Sequence, residues 1–419
     1  MSGSAIETRV LDSNPILEAF GNASTPRNDN SSRFGKFIQL QFDRSGQIVG
    51  GVIRTYLLEK TRVIHQGQGE RNFHIFYQLS DLLDDTEIPL WLRGVKQEVE
   101  GINDAFGQDT CVLSEDVQSP SLMRTVTAMK DIGISQDAQV NVFKLLVAIL
   151  HLSQIHFVAT ARDQDISDFA ESTSSDYSKV QSSRLLGVLE CDLHKVLLYR
   201  DIVSGRDARR SVYVKPVTVR EARSRRDCLA MLVYARLFDW LVSFINFQIR
   251  ADSFSHVINL LDIYGFETLE VNSLEQLCIN YANERLQQHY VGHFLHDLQV
   301  EYEAEMISWV SIDYHDNRPC VEALHAPTSV FGVLNEDVCL NRQSPSTELC
   351  ERLITSDHSG QVVLHLPGGD GSQFVVSHYA GEVIYSLQDL VQKNKVIFFS
   401  KFLNVLNVNY SCFSVPSDI

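Results

Sequence analysis

Between Gly35 and Tyr56 the chain reads GKFIQLQFDRSGQIVGGVIRTY, with apolar side chains alternating on both sides of a Ser-Gly turn. That period of two predicts a strand hairpin, followed by a third extended or short helical piece through LLEKTRV. A helical period then takes over. ERNFHIFYQLSDLL carries its aromatic residues on one face, LMRTVTAMKDIGI is a second helix, and AQVNVFKLLVAILHLSQIHF is a strongly apolar helix ending in a short strand. RDCLAMLVYARLFDWLVSFINFQI is apolar on most sides, which places it at the centre of the fold. HVINLLDIY is too hydrophobic for an edge strand and reads as a buried strand of a mixed or parallel sheet. From Asn272 to Met306 the pattern is one long helix. A Ser273-x-x-Gln276 capping box opens it, and Leu274, Leu277, Cys278 and Tyr281 share a face. Helices interleaved with sheet-forming segments make the class α/β. ARDQDISDFAESTSSDYSKVQSS, acidic and serine-rich, is the best candidate for an exposed surface loop.

A length of 419 residues exceeds one ordinary core, so two or three subdomains are expected. No apolar run approaches a membrane span, and MSGSAIETRV lacks the apolar centre of a signal peptide. The expected location is therefore cytosolic or nuclear, without membrane insertion. Cys111, Cys191, Cys228, Cys278, Cys320, Cys339, Cys350 and Cys412 are scattered without a Cys-x-x-Cys pair. They read as reduced, mostly buried thiols rather than a disulfide frame or zinc site. A net charge of −17 argues against a general nucleic-acid binder. One basic patch, RDARRSVYVKPVTVREARSRR from Arg206 to Arg226, serves equally as a solvated surface or as a docking face for an acidic partner.

Two loops look chemical. RNDNSSRFGKF, from Arg27 to Phe37, packs Ser and Asn side chains between two apolar runs; DIYGFE, Asp262 to Glu267, follows the apolar strand HVINLL. A carboxylate at the C-terminal end of such a strand is sited to reach a metal ion. Gly265 allows close approach of a phosphate. Ser31 and Ser32 offer hydroxyls to magnesium, a hard ion that prefers oxygen. Arg33 and Glu267 are opposite charges able to form a bidentate pair. Each element has a plainer reading, Asp262 as a turn residue and NSSR as a helix cap.

Taken together and in this order, NDNSSRFGKF and DIYGFE resemble switch I and switch II of a myosin motor. Kinesins share a Ser-Ser-Arg core, but the Phe-Gly-Lys continuation and DIYGFE are myosin-like. NPILEAFGNA, TYLLEKTRV, ERNFHIFYQL, RLFDWLV, NSLEQLCINYANERLQQHY, DNRPC and FVVSHYAGEVIY with VQKNK also resemble myosin-head segments in family order, from about Ile6 to Lys395. GKFIQLQF, RRDCLAMLVYARLFDWLVSFIN and LNRQSPS are most similar to class nineteen, the mitochondria-associated myosins.

The resemblance implies a partial P-loop NTPase fold, a mixed central sheet surrounded by long helices. Residues 1–260 would form the switch I region and upper actin-binding subdomain. Residues 261–395 would hold switch II, the relay helix and the lower subdomain, and 396–419 a divergent tail. It implies Mg2+ with ATP as cofactor and nucleotide. Asn28 and Asn30 would lie near the phosphates, and Ser31 beside the γ-phosphate and attacking water. Ser32 would bind magnesium directly and Asp262 through a water. The Gly265 N–H would sense the γ-phosphate, and Arg33 with Glu267 would close the site. The helix from Ser273 would be the relay helix, with Trp309 in the loop behind it. Actin filaments would be the partner, met by Leu340, Asn341, Arg342, Gln343 and Ser344 at a helix-loop-helix tip and by Arg206, Arg209 and Arg210 in a second loop. The tip lacks the Phe-Pro of many myosins.

No Gly-x-x-x-x-Gly-Lys-Ser/Thr string occurs in the sequence. In the family that phosphate cradle precedes NPILEAFGNA, so this chain is expected to lack it and with it most ATP affinity. VIFFSKFLNVLNVNYSCFSVPSDI resembles nothing in the family, and a light-chain or calmodulin site is expected to be absent. Two functions follow: a segment of an actin-activated ATPase motor, or a truncated, non-catalytic product or partial gene reading that at most binds actin. The location implied is cytoplasmic and cytoskeletal, with mitochondrial outer-surface association only through a tail.

Overall fold

The computed structural model describes residues 3–26, 28–67, 69–84, 89–100, 121–160, 163–170, 173–204, 211–340, 342, 345–388 and 390–394. Met1–Ile263 make one compact unit and Tyr264–Val396 a second. In the first unit, helix α1 (Gly3–Gly21) leads into the hairpin β1 (Asn22–Thr25) and β2 (Asn28–Ser32). The predicted hairpin follows as β3 (Gly35–Phe42) and β4 (Ile48–Tyr56), closed by a 3-10 turn at Lys60–Val63. Asp43 Oδ1 holds its turn by accepting from the N–H groups of Ser45 (2.8 Å) and Gln47 (3.0 Å), while Gly46 takes the left-handed φ of 79°. Helices α2 (His74–Asp84), α3 (Arg93–Glu100), α4 (Leu122–Ile132) and α5 (Gln136–Ser153) come next. Then come β5 (Phe157–Thr160), β6 (Asp163–Phe169), α6 (Thr173–Leu186), α7 (Glu190–Leu198), β7 (Tyr199–Ser204) and β8 (Ser211–Pro216). The unit ends with α8 (Val219–Ile249) and β9 (His256–Asp262).

Helix α8 organises this unit. Thr218 Oγ1 accepts from Glu221 N–H at 3.3 Å and Glu221 Oε2 from Thr218 N–H at 3.1 Å, a capping box that fixes where the helix begins. By length and composition α8 could cross a membrane, against the expectation that no run reaches that length. Here it is a core helix. Leu229, Val233, Leu237, Leu241 and Ile245 are buried against α1, α5 and β4. Tyr234 stacks on Phe73 (5.0 Å) and donates its hydroxyl to the Phe20 carbonyl (2.6 Å), locking α1 and the start of α2 to α8. Asn246 completes the edge of β4, donating to Ile53 O and accepting from Ile53 N–H, both at 2.7 Å.

Two expectations are corrected. The serine-rich stretch is not an exposed loop: within it lie β6 and α6, with Ser167, Ser175, Ser178, Ser182 and Ser183 buried. Short hydroxyl side chains bond locally, as Ser167 Oγ does to Val217 O and Ser182 Oγ to Ser178 O, both at 2.7 Å, so they bury at little expense. The strand HVINLLD forms as β9, but among the described residues it is an edge strand. The order is β4-β3-β9, antiparallel throughout, and Ile258, Leu260 and Leu261 are about half exposed. Among the described cysteines Cys320 and Cys350 are buried, Cys228 and Cys278 half-buried, and Cys191 and Cys339 exposed, all free thiols. The expected burial is therefore only partial, and Cys111 and Cys412 lie outside the described residues.

The second unit begins with helix α9 (Leu274–Tyr290), which runs through a π-helical turn at Val291–Asp297 into α10 (Leu298–Ala304), so the long helix is continuous. Helices α11 (Arg318–His325), α12 (Val330–Cys339) and α13 (Ser346–Ser356) cover the antiparallel sheet β10 (Val363–His365), β11 (Gln373–His378) and β12 (Gly381–Ser386). The short α14 (Leu390–Asn394) is tied back by Lys393 Nζ to Glu275 at 2.9 Å.

Two predictions follow from this packing. A Cβ on Gly21 would lie 2.3 Å from the Phe34 ring. Gly21→Ala is therefore expected to lower stability by about 1–3 kcal/mol, read as a lower urea midpoint. His151 on α5 is fully buried, edge-on to Tyr177 at 5.7 Å. Burial holds its imidazole down at about 4 against an ordinary 6.5, Arg184 adding to the shift and Glu98 opposing it. His74 is held at about 4 as well, by burial and then by Arg71. Between 6.5 and about 4 the folded chain binds fewer protons at these sites than the unfolded chain, so stability falls as pH drops through that window. Urea titrations across it are expected to show a shallower decline for His151→Leu than for the parent, and equal slopes would refute this.

Candidate functional site

The β1–β2 hairpin carries the first candidate loop. Asn28 Oδ1 accepts from the Asn30 N–H at 2.9 Å, a local turn that keeps both residues exposed on β2. Asn30 Oδ1 is in turn the acceptor for Asn22 Nδ2 and His74 Nε2, each at 3.0 Å. His74 thus anchors the loop from α2 as the Nε2–H tautomer, a role that the sequence pattern did not reveal. Ser31 is half-buried and accepts from Arg33 Nη1 at 3.3 Å, whereas Ser32 is exposed.

Arg33 is buried, with a side chain only 2% exposed. Its backbone is pinned on both sides: its N–H donates to Gly21 O (2.7 Å) and its carbonyl accepts from Glu59 N–H (2.9 Å). Its Nε donates to Glu59 Oε2 at 2.6 Å. Glu59 is gripped from the other side by Arg62, through Nε (2.8 Å) and Nη2 (3.2 Å), and Arg62 Nη1 reaches Glu70 at 3.1 Å and Arg71 O at 3.0 Å. Two buried guanidiniums sharing one carboxylate form a rigid, charge-balanced base under the loop. Phe34 packs edge-on against Phe238 of α8 at 5.2 Å, which fixes the loop to the core. Glu59 and Arg62 stand in the stretch LLEKTRV, read from the sequence only as an extended or short helical piece.

Strand pairing brings the second candidate to the first. β3 and β9 run antiparallel with Lys36 opposite Asp262, so the start of β3, just after Ser32 and Arg33, lies beside the end of β9. Asp262 is 68% exposed and its Oδ2 is 3.7 Å from Lys36 Nζ. Gly35 permits this approach, since a Cβ there would be 3.2 Å from Ile263 Cγ2. The hydroxyls of Ser31 and Ser32 on β2 and the exposed carboxylate of Asp262 at the end of β9 are oxygen ligands of the type a hard divalent cation takes.

Asp262 closes the first unit; Gly265 and Glu267 open the second. A side chain at Gly265 would meet open space. Helix α9 holds this loop: Asn280 accepts from Glu267 N–H (2.9 Å) and donates to Glu267 O (2.8 Å), Asn283 donates to Tyr264 O (3.0 Å), and Gln276 Nε2 donates to Glu267 Oε2 (3.4 Å). Deeper along the helix lies a buried polar network. Glu284 accepts from Tyr379 N–H (2.8 Å) and from Asn317, and lies 3.0 Å from His378 Nδ1; His378 Nε2 meets the Tyr385 hydroxyl at 2.9 Å. Burial pushes the Glu284 carboxyl up, but bonds from His378, Asn317 and Tyr379 outweigh it and hold it below the ordinary range. Burial, with Glu284 adding to it, pushes the neighbouring Cys320 thiol far up. The cluster therefore serves as a hydrogen-bonded core joining α9, α11 and β11.

Leu340 is exposed at the end of α12, and Arg342 pairs with Glu336 at 3.2 Å. Asn341, Gln343 and Ser344, like Arg206, Arg209 and Arg210, lie outside the described residues.

Comparison with known proteins places this geometry. Residues 1–413 match the family Myosin head (motor domain). The chain is 44% identical over 393 residues to unconventional myosin-XIX of Homo sapiens, covering 93% of this chain and 39% of that protein. It is 36% identical over 423 residues to unconventional myosin-Vb of Mus musculus (97% of this chain, 22% of the relative). It is 39% identical over 414 residues to the myosin-K heavy chain of Dictyostelium discoideum (96% and 46%). The chain thus spans less than half the length of these relatives, and over nearly all of its own length it belongs to the myosin head family.

Proposed function

We propose that this chain is the part of an actin-based motor that grips the magnesium end of ATP and presents a helix hairpin to the filament. The observation that supports it most is the pairing of Lys36 with Asp262, which brings the end of β9 beside the start of β3, three residues after Ser32 in the chain. Magnesium, when bound with the nucleotide, would offset the negative charge that phosphoryl transfer gathers on the phosphate oxygens. Ser32 would hold it directly and Asp262 through a water, once Lys36 releases the carboxylate. Asn28 and Asn30 would border the phosphates. Ser31 would orient the attacking water, and the Gly265 N–H would meet the γ-phosphate. Arg33, already fixed through Glu59, would pair with Glu267 to exclude water during hydrolysis. The loop Tyr264–Glu267 is bonded to Asn280 and Asn283, so its movement would be passed to α9 as the relay helix, with Trp309 behind it.

Leu340, Asn341, Arg342, Gln343 and Ser344, with Arg206, Arg209 and Arg210, would meet actin, whose acidic surface suits these local cations despite the chain's charge of −17. The corresponding location is cytoplasmic and cytoskeletal, with mitochondrial association a property of segments beyond the matched stretch.

The nucleotide half is tested in a chimaeric head in which this chain replaces the matching 393-residue stretch of human myosin-XIX. Phosphate release is expected to rise with filamentous actin and to fall roughly 10²-fold or more in Ser32→Ala and in Arg33→Ala, as when a transition-state contact is removed. Unchanged release in both variants would overturn the assignment. The filament half is tested on the chain itself by cosedimentation with filamentous actin at low salt, where pelleting is expected.

A further inference from the structure

The hairpin of α12 and α13 contains a feature that its apolar packing does not explain. Val330 and Leu334 of α12 and Leu349, Cys350 and Leu353 of α13 already bury its contact face. Yet α12 ends with two adjacent acids, Glu336 and Asp337, in its last turn. Carboxylates there oppose the helix dipole, and Asp337 is only 2% exposed. Arg352 of α13 resolves both conflicts. Its Nη1 donates to Asp337 Oδ1 and its Nη2 to Glu336 Oε2 at 2.8 Å, so one planar guanidinium bridges the two helices. Arg342, beyond the end of α12, joins the same pair of acids, with Nη2 3.2 Å from Glu336 and Nη1 4.0 Å from Asp337, while its N–H donates to the Asp337 carbonyl at 3.0 Å. Leu340 N–H donates to Glu336 O at 2.9 Å. The exposed residues Leu340 and Arg342 are thus set in space through Glu336 and Asp337, and those acids are set by Arg352.

We propose that Arg352 is a positioning residue for filament binding, acting through Asp337 and Glu336 to fix the direction in which Leu340 and Arg342 are presented. This rests on the docking reading given above for those residues. Arg352 and the buried Asp337 need not touch the filament; they hold the part that does.

The test uses the full chain in cosedimentation with filamentous actin, with four variants: Arg352→Met, Arg352→Lys, Asp337→Asn and the Arg352→Met/Asp337→Asn double. Arg352→Met is expected to weaken binding roughly tenfold, the size of coupling seen between contacting charges. Arg352→Lys keeps the charge but loses the two-pronged bridge, and is expected to fall between parent and Met variant. The double variant is expected to bind no more weakly than the worse single, since both remove the same bridge. Hydrogen exchange of the backbone around Leu340 and Arg342 should quicken in each variant, while exchange in β11 and β12 stays as in the parent. Should Arg352→Met fail to fold, Arg352→Lys and Asp337→Asn carry the comparison. If the parent pellets and the folded variants pellet equally well, the positioning role is wrong and the docking reading stands. If the parent does not pellet, the docking reading falls and the positioning role with it.

Discussion

Strand β3 is hydrogen-bonded on both sides, to β4 through a five-residue turn and to β9 from more than 200 residues away in the chain. The approach of Asp262 to the first loop depends on that double pairing. Side chains alternate strictly along a strand, so a slip of one residue between β3 and β9 would turn Asp262 to the opposite face and carry it away from Lys36. Several constraints keep the register. Gln39 Nε2 donates to Asn259 Oδ1 across the ladder at 3.2 Å, and Gln41 accepts from Ala251 N–H at 3.0 Å. Gly50 lets the chain at Ala251 come closer than any side chain would allow.

The second constraint is electrostatic. Burying Arg33 and Arg62 without partners would be prohibitive, and a single carboxylate cannot serve two guanidiniums unless it can accept from both. Glu59 does so, and Glu70 takes a further contact from Arg62. This makes Arg33 a fixed cation at the mouth of the loop instead of a mobile surface side chain. A charge held in place by its partners needs no reorganisation to meet an opposite charge. The rigidity of the base and the exposure of Ser32 above it are complementary.

Much of this was legible in the sequence. The β3–β4 hairpin announced itself by alternation and a Ser-Gly turn, α8 by its apolar composition and α9 by its apolar face and capping box, because these signals are local. The family was legible because two loops of short polar residues beside apolar runs stand in the order of a known family. What failed was non-local. β9 is apolar enough for an interior position, but hydrophobicity records what a strand is fit to pair with, not which neighbours it has. The serine-rich stretch looked solvent-loving because composition counts hydroxyls without asking where they bond; in α6 they bond to the preceding turn. Glu59, His74 and Arg352 were missed for a related reason. Each acts through partners fixed only by folding, and a lone charged residue on a helix or turn carries no mark of that.

The long helix of the second unit divides at Glu284, and the division bears on how such a unit could transmit movement. Up to that point Asn280, Asn283 and Glu284 are bonded to the loop at Tyr264–Glu267, to Tyr385 and to the residues around His378, so the helix and the sheet behind it move as one body. Beyond it Leu286, Tyr290, Phe294 and Val300 are each at least 43% exposed, and the hydrogen-bond ladder loosens into a π-helical turn. A π turn inserts a residue into the helical repeat and weakens the register locally. A helix clamped at one end and compliant at the other converts a small shift of the clamped loop into a larger displacement at its far end. The stiffness comes from buried side-chain amides and a carboxylate, which cannot let go without leaving an unpaired polar group in the core. The part of the helix up to Glu284 is therefore held to the loop at Tyr264–Glu267 and cannot slip past it without breaking those bonds.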